Sequence, residues 1–252
     1  MDYSPSRVEN GSNPRNHVED MIALHHDGYI NAMDWHWGAP TNSPGTDKQH
    51  SAGSFMTKTS TFDIAATLAD INSPQYACLI RDLDAIALQL KKFSDANIPV
   101  LWRPLHEADG KWFWWGAKGP EACKSLWRLI FTRFTVKHNL HNLIWVYTPA
   151  NPTRDQWYPG DDVVDIVGLD CYPKTPDDLM VSKWQDLQAR YSGKKLVALT
   201  EFGGVPDIEA MHKAGVWWCY FSSWNRTLNK SPLEMLIRTY KSPNVVTLED
   251  LK

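Results

Sequence analysis

Residues 98–105 read IPVLWRPL, and the chain continues His106-Glu107-Ala108-Asp109-Gly110-Lys111-Trp112-Phe113-Trp114-Trp115-Gly116. The opening run is apolar with almost no alternation, the pattern of a short strand covered on both faces. A polar turn follows, then four consecutive aromatics between Gly110 and Gly116, which suits an exposed loop at the strand's C-terminal end. One or two of those four rings are expected to plug the core. Such a strand ends on a carboxylate and a row of indoles, as in parallel α/β domains whose chemistry sits at the strand ends.

Five further runs have the same character: Tyr29–Trp35, Asn142–Tyr147, Val163–Leu169, Lys195–Leu199 and Gly215–Phe221. Helical periodicity lies between them. Pro14–His26 carries Val18, Met21, Ile22 and His25 on one face, with Gly28 as a natural stop. Pro74–Asn97 carries Ile80, Leu83, Ile86, Ala87 and Leu90, and Glu121–His138 follows Gly119-Pro120, a start with Pro at the first helical position. Shorter helices fit Thr61–Ala69, Val181–Tyr191, Asp207–Lys213 and Ser231–Lys241. Strands alternating with helices predict parallel pairing through right-handed crossovers.

No glycine-rich phosphate loop follows any strand, so a (β/α)₈ TIM barrel is expected over a doubly wound sheet, as a single domain over residues 1–252. Six visible strands are two short of eight. The stretch from Gly38 to Ser73 contains no strand-like run, which places the deficit before Tyr29. The opening Asp2-Tyr3-Ser4-Pro5-Ser6-Arg7 reads as the loop after a strand. The expected architecture is therefore a TIM barrel whose first two strands and first helix are missing from this chain.

The composition narrows the partner. In 252 residues, 26 Lys+Arg against 29 Asp+Glu gives a net charge of −3. There is no concentrated basic surface for nucleic acid and no polybasic membrane anchor. No apolar run approaches the ~20 residues that span a bilayer, and no secretory signal is evident. Four cysteines without C-x-x-C spacing read as buried free thiols, with one disulfide as the alternative. Thirteen tryptophans are an excess, and because buried indole N–H groups need partners, the excess suggests stacking on sugars.

Reading only the strand ends yields Trp35-His36-Trp37, Arg103, His106, Glu107, Tyr147, Asp170, Tyr172, Glu201 and Trp224. Two carboxylates, Glu107 and Glu201, lie immediately beyond strands and 94 residues apart. In a barrel that separation places them three strands apart, facing each other across the mouth. Opposed carboxyl groups are the machinery of glycoside hydrolysis, with a nucleophile at ~5–5.5 Å from the acid in retaining enzymes. In inverting enzymes a base stands at ~6.5–9.5 Å.

The run Arg103-Pro104-Leu105-His106-Glu107 with Gly110-Lys111-Trp112-Phe113-Trp114-Trp115-Gly116 closely resembles the acid/base signature of glycoside hydrolase family 26, best known for endo-β-1,4-mannanases. Thr200-Glu201-Phe202-Gly203-Gly204 resembles its nucleophile segment. Asp34-Trp35-His36-Trp37, Asp170-Cys171-Tyr172-Pro173 and the opening block match further family segments in order. The resemblance implies a retaining mechanism with Glu107 as acid/base and Glu201 as nucleophile.

It further implies that His106 hydrogen-bonds near the nucleophile or the sugar 2-hydroxyl and that Tyr172 orients Glu201. His36, Trp112 and Trp224 would line the subsite of the cleaved sugar, and Arg103 would support the nucleophile's charge. Asp170 is expected to be structural. Indoles beside Glu107 should raise its pKa. His50, His138, His141 and His212 have no metal-ligand spacing, and no cofactor or metal is expected.

The expected enzyme is a secreted, monomeric retaining endo-β-1,4-mannosidase acting on β-mannan, its extracellular location inferred from the resemblance. The alternatives are a β-1,3-xylanase, a mixed-linkage β-glucanase or an inactive sugar-binding remnant.

Overall fold

Six parallel strands in sequence order make one sheet among the described residues: β1 (Asn31–Asp34), β2 (Val100–Arg103), β3 (Leu143–Tyr147), β4 (Ile166–Cys171), β5 (Leu196–Phe202) and β6 (Phe221–Ser223). The structure, a computed structural model, describes residues 3–40, 54–174 and 178–251. An order without reversal is that of a barrel wall, whereas a doubly wound sheet reverses at its switch point. The sheet curls into a half-barrel, since Ala32 and Asp34 of β1 line the same cavity as Ser222 and Ser223 of β6.

The helices are α1 (Pro5–Glu9), α2 (His17–His26), α3 (Ile64–Ala69), α4 (Pro74–Asp95), α5 (Pro120–Thr132), α6 (Val181–Tyr191), α7 (Ile208–Lys213), α8 (Asn225–Leu228) and α9 (Leu233–Tyr240). None of the helices described is long and apolar enough to cross a membrane. The longest, α4, begins where Ser73 accepts the Tyr76 N–H and Pro74 needs no donor partner. Its face Leu79, Leu83, Ile86, Leu90 and Phe93 is wholly buried against the outer side of the sheet, where Trp102 also lies. The inner face carries a smaller cluster of Val146, Ile166 and Ala198, with Leu101, Ile144 and Tyr220 packed on it.

Several expectations need correction. The sixth strand is Phe221–Ser223, not Gly215–Phe221. Gly215 adopts a positive φ of 81°, and the residues after it form a lead-in held to β5 by single bonds such as Cys219 N–H to Val197 C=O. The opening segment is a helix, α1, not a loop. It is tied down by the buried carboxylate of Asp82, which accepts the Ser6 N–H at 3.2 Å and the Trp37 indole N–H at 2.7 Å. Asp2 and His50 lie outside the described residues.

The tryptophan excess is largely structural. Trp35 and Trp37, 1% and 0% exposed, stack on each other with ring centroids 4.1 Å apart, so neither presents a face to a sugar. Trp102, Trp114, Trp115, Trp127, Trp145 and Trp157 are also buried. Their cost is met in part by backbone acceptors: the N–H of Trp114 reaches Trp37 C=O, Trp115 reaches His106 C=O, and Trp127 reaches Val163 C=O. All four cysteines are free thiols, and Cys219 is exposed where burial was expected.

Candidate active site

Strand register brings the charged groups together. Asp34 at the end of β1 pairs in register with Arg103 at the end of β2, and Asp170 in β4 pairs with Glu201 in β5. Between Gly168 and Asp170 the register slips: one residue of β4, Leu169, opposes two of β5, Leu199 and Thr200, a bulge. A bulge re-aims a side chain, and here it lets consecutive Thr200 and Glu201 line the same cavity. That cavity, about 140 Å³, is also lined by Asp34, Arg103, Tyr220 and Trp224.

Arg103 is the hub. Its guanidinium donates to Asp170 at 2.6 Å and to Glu201 at 3.1 Å, and lies 3.5 Å from Asp34. Burial opposes its charge, but the three carboxylates hold its pKa above the ordinary arginine value. Asp170, fully buried at its side chain, also accepts the Thr200 hydroxyl at 2.7 Å. Burial pushes Asp170 upward while Arg103 pulls it back. The other oxygen of Glu201 accepts the Tyr172 hydroxyl. Against the cost of burial, the hydrogen bond from His36 at 3.2 Å and the charge of Arg103 hold Asp34 well below the usual carboxylate range.

Glu107 comes from a strained loop. Leu105, Glu107 and Lys111 all have positive φ, at 52°, 54° and 62°. Each such residue costs about 1–3 kcal/mol, a strain typical of functional sites. Two glycines make the loop possible. A Cβ at Gly110 would lie 2.2 Å from the Trp112 ring, and one at Gly116 would lie 1.9 Å from the Ala108 carbonyl oxygen. Trp112 therefore lies over the backbone of its own loop and donates its indole N–H to Glu107 at 3.0 Å. Burial first, then the charges of Asp170 and Glu201, push the Glu107 carboxyl up to about 7, opposed by the Trp112 bond and Arg103.

Of the residues singled out from sequence, Arg103 and Tyr172 both bond Glu201, and Trp112 bonds Glu107. Oxygens of Glu107, Asp170 and Glu201 all lie within 4.8 Å of one another. His36 and His106 stack edge to face at 4.7 Å, and Trp224 joins the cavity wall beside Glu201. His106 is buried, and burial with the nearby positive charge of Arg103 holds it well below the usual histidine pKa, hence neutral. Of the aromatic run only Trp112 is open, at 41% exposure, so three rings are buried where one or two were expected.

Asp170, expected to be structural, sits in the carboxylate cluster with its side chain wholly buried against Arg103 and Thr200. Its signal was the strand end Gly168-Leu169-Asp170-Cys171 next to a candidate tyrosine. Two groups have metal-like geometry, Asp34-His36-His106 and Glu107-Asp170-Glu201. In both, Arg103 already supplies the positive charge to an acidic member.

The chain as a whole has counterparts among known proteins. The sequence model of glycosyl hydrolase family 26 matches residues 1–249. The chain belongs to glycosyl hydrolase family 26. It is 40% identical over 257 residues to a mannan endo-1,4-beta-mannosidase of Thermothelomyces thermophilus, covering 100% of this chain and 52% of that protein. A Podospora anserina GH26-CBM35 beta-(1,4)-mannanase superposes with a TM-score of 0.92 at 43% identity, covering 100% of this chain and 56% of that one.

A beta-mannanase from a symbiotic protist of the termite Reticulitermes speratus, solved with gluco-manno-oligosaccharide, gives a TM-score of 0.82 at 33% identity. That match covers 95% of this chain and 74% of the other. The chain thus spans about half the length of the first two family 26 relatives.

Proposed function

We propose that this family 26 chain carries the catalytic site of a retaining endo-β-1,4-mannosidase that cuts internal linkages of mannan-type polysaccharide by double displacement. One observation carries the mechanism: oxygens of Glu107 and Glu201 lie within 4.8 Å of each other. That is close to the ~5–5.5 Å of retaining enzymes and leaves no room for the water an inverting enzyme places between its carboxyls. The substrate follows from the relatives, each named for activity on mannan.

The two carboxyls are set for different tasks. Glu201 is held from both sides, by Arg103 on one oxygen and the Tyr172 hydroxyl on the other. It attacks the anomeric carbon, and the glycosidic C–O bond breaks. Glu107, kept protonated by its surroundings, gives its proton to the departing oxygen. Trp112 stabilises the carboxylate so formed. In the second step Glu107 takes a proton from water, which attacks the anomeric carbon and releases Glu201. Neutral His106, with His36, is available to hydroxyl groups of the sugar, and Trp112 and Trp224 offer ring surface.

The wider reading includes two further strands between β6 and β1 that complete an eight-stranded barrel, and a monomer working outside the cell, where polymeric mannan is found.

The test is reducing-end release from glucomannan, galactomannan, β-1,3-xylan and lichenan, with the first-formed anomer followed by proton NMR. Release from the two mannans with the β-anomer appearing first is expected. Activity confined to β-1,3-xylan and lichenan, or first appearance of the α-anomer, would remove the reading. The pH dependence follows from Glu107. Its acid form is lost as pH rises, so kcat/KM on mannan should fall above about 7, by about tenfold per pH unit. A basic limb that persists unshifted in Glu107→Gln would assign it to another group.

A further inference from the structure

The loop that carries Glu107 is fastened at a second carboxylate. Asp109 is buried, at 2% exposure, and accepts two backbone N–H groups, Ala150 at 2.6 Å and Asn151 at 2.8 Å. Both belong to the loop after β3. The same loop accepts the Glu107 N–H at the Thr148 carbonyl, 2.8 Å away. From its far end Arg154 donates to the Asp109 carbonyl and lies 3.6 Å from the Asp109 carboxylate. Three bonds and a guanidinium thus lock residues 107–109 to residues 148–154.

The lock has something to resist. Residues 105, 107 and 111 are all in the left-handed region, a conformation that L side chains leave when free to do so. The end of the β2 loop is held by a single bridge, Phe113 to Met56, but that bridge lies beyond the strained residues and leaves 105–109 to other fixtures. A carboxylate with two N–H donors holds a loop more strongly than neutral bonds do, and here each of its oxygens is engaged by fixed backbone. A single residue, Ala108, separates it from the carboxyl that must meet the glycosidic oxygen.

We propose that Asp109 is a positioning residue for the acid/base function of Glu107, acting by clamping the β2 loop to the β3 loop. The inference rests on the assignment of Glu107 as acid/base. Asp109→Asn keeps the size but turns an amide N–H₂ toward a backbone N–H, breaking one of the two bonds. Misplacing a catalytic group by about 1 Å costs on the order of 10²-fold. The cost falls only on substrates whose leaving group needs a proton.

The experiment compares kcat/KM of the chain and of Asp109→Asn on β-1,4-mannan and on 2,4-dinitrophenyl β-mannobioside, whose phenolate departs unprotonated. The expected result is a loss of at least about tenfold on mannan with no more than about twofold on the aryl glycoside. Equal losses on both substrates would mark Asp109 as merely structural and overturn the proposal, as would no loss on either. If Asp109→Asn fails to fold, Arg154→Ala removes only the half-exposed cation that braces the clamp. It should show the same split on a smaller scale, and its absence there is equally fatal. An unmodified chain inactive on both substrates would bring down the proposed function and this inference together. An active chain without the split brings down this inference alone.

Discussion

Glu201→Ala should abolish mannan hydrolysis, lowering kcat by at least about 10⁴-fold, because no other group can form the glycosyl-enzyme bond. Asp170 is near but cannot substitute, since its side chain is wholly buried, whereas that of Glu201 keeps some exposure to the cavity. The truncation opens space on the face from which the anomeric carbon is attacked. Azide entering that space should restore turnover on an activated aryl mannoside and yield the α-configured glycosyl azide. The azide takes the anomeric carbon as the aryloxide leaves, so one displacement replaces two and the configuration inverts. Recovery of a β-azide, or hydrolysis undiminished in the variant, would assign the nucleophile elsewhere.

The same variant bears on the acid. Glu201 is one of the charges that raise Glu107, so in its absence the Glu107 carboxyl should titrate lower than about 7. A direct carbon-13 NMR titration of the Glu107 carboxyl in the variant should move to lower pH than in the parent chain, and a titration that stays fixed would uncouple the two groups.

Arg103→Met should be the most destabilising single change in the site. Arg103 is 8% exposed and answers three carboxylates, two of which it hydrogen-bonds directly. Removing one partner of a buried ion pair leaves uncompensated charge and typically costs 3–5 kcal/mol, and here about that much is expected at neutral pH. The methionine fills much of the volume, so the loss is electrostatic rather than a cavity effect.

The sign of its pH dependence follows. Without the guanidinium, Asp170 loses the charge that pulls it down against burial, so it binds its proton more tightly in the folded state than in the unfolded one. Folding then favours the protonated form, and the variant's stability falls as pH rises from the carboxylate range towards neutrality. The deficit relative to the parent chain should therefore be largest near neutral pH and shrink on acidification. Urea denaturation across that range measures it. A deficit that is constant with pH would show that Arg103 acts by packing alone.

Much of this site was legible because its parts are local. The run Ile98–Leu105 announced β2, and the polar and aromatic residues after it announced a functional loop. Pro120 after Gly119 marked the start of α5, and Val181–Tyr191 matched α6 residue for residue. The tryptophans misled for a physical reason. An indole shows the same side chain to the reader whether its N–H meets a distant carbonyl or a sugar. Trp114 meets Trp37 C=O, 77 residues away. Asp109 could not be read at all, because its partners are two backbone N–H groups 41 and 42 residues on. Backbone donors leave no trace in residue type.

By itself the sequence determined the alternation of strand and helix and the two glutamates at strand ends. Both are matters of spacing along the chain, which side-chain period and turn residues encode directly. Only the tertiary structure decided which carboxylates share Arg103. Those pairings join residues 67 and 98 positions apart. They hang on the extra residue in β5 that lets Thr200 and Glu201 line the same cavity. An unbroken pleat would alternate them. The bulge is a property of how β5 registers on β4, and register between strands has no local code.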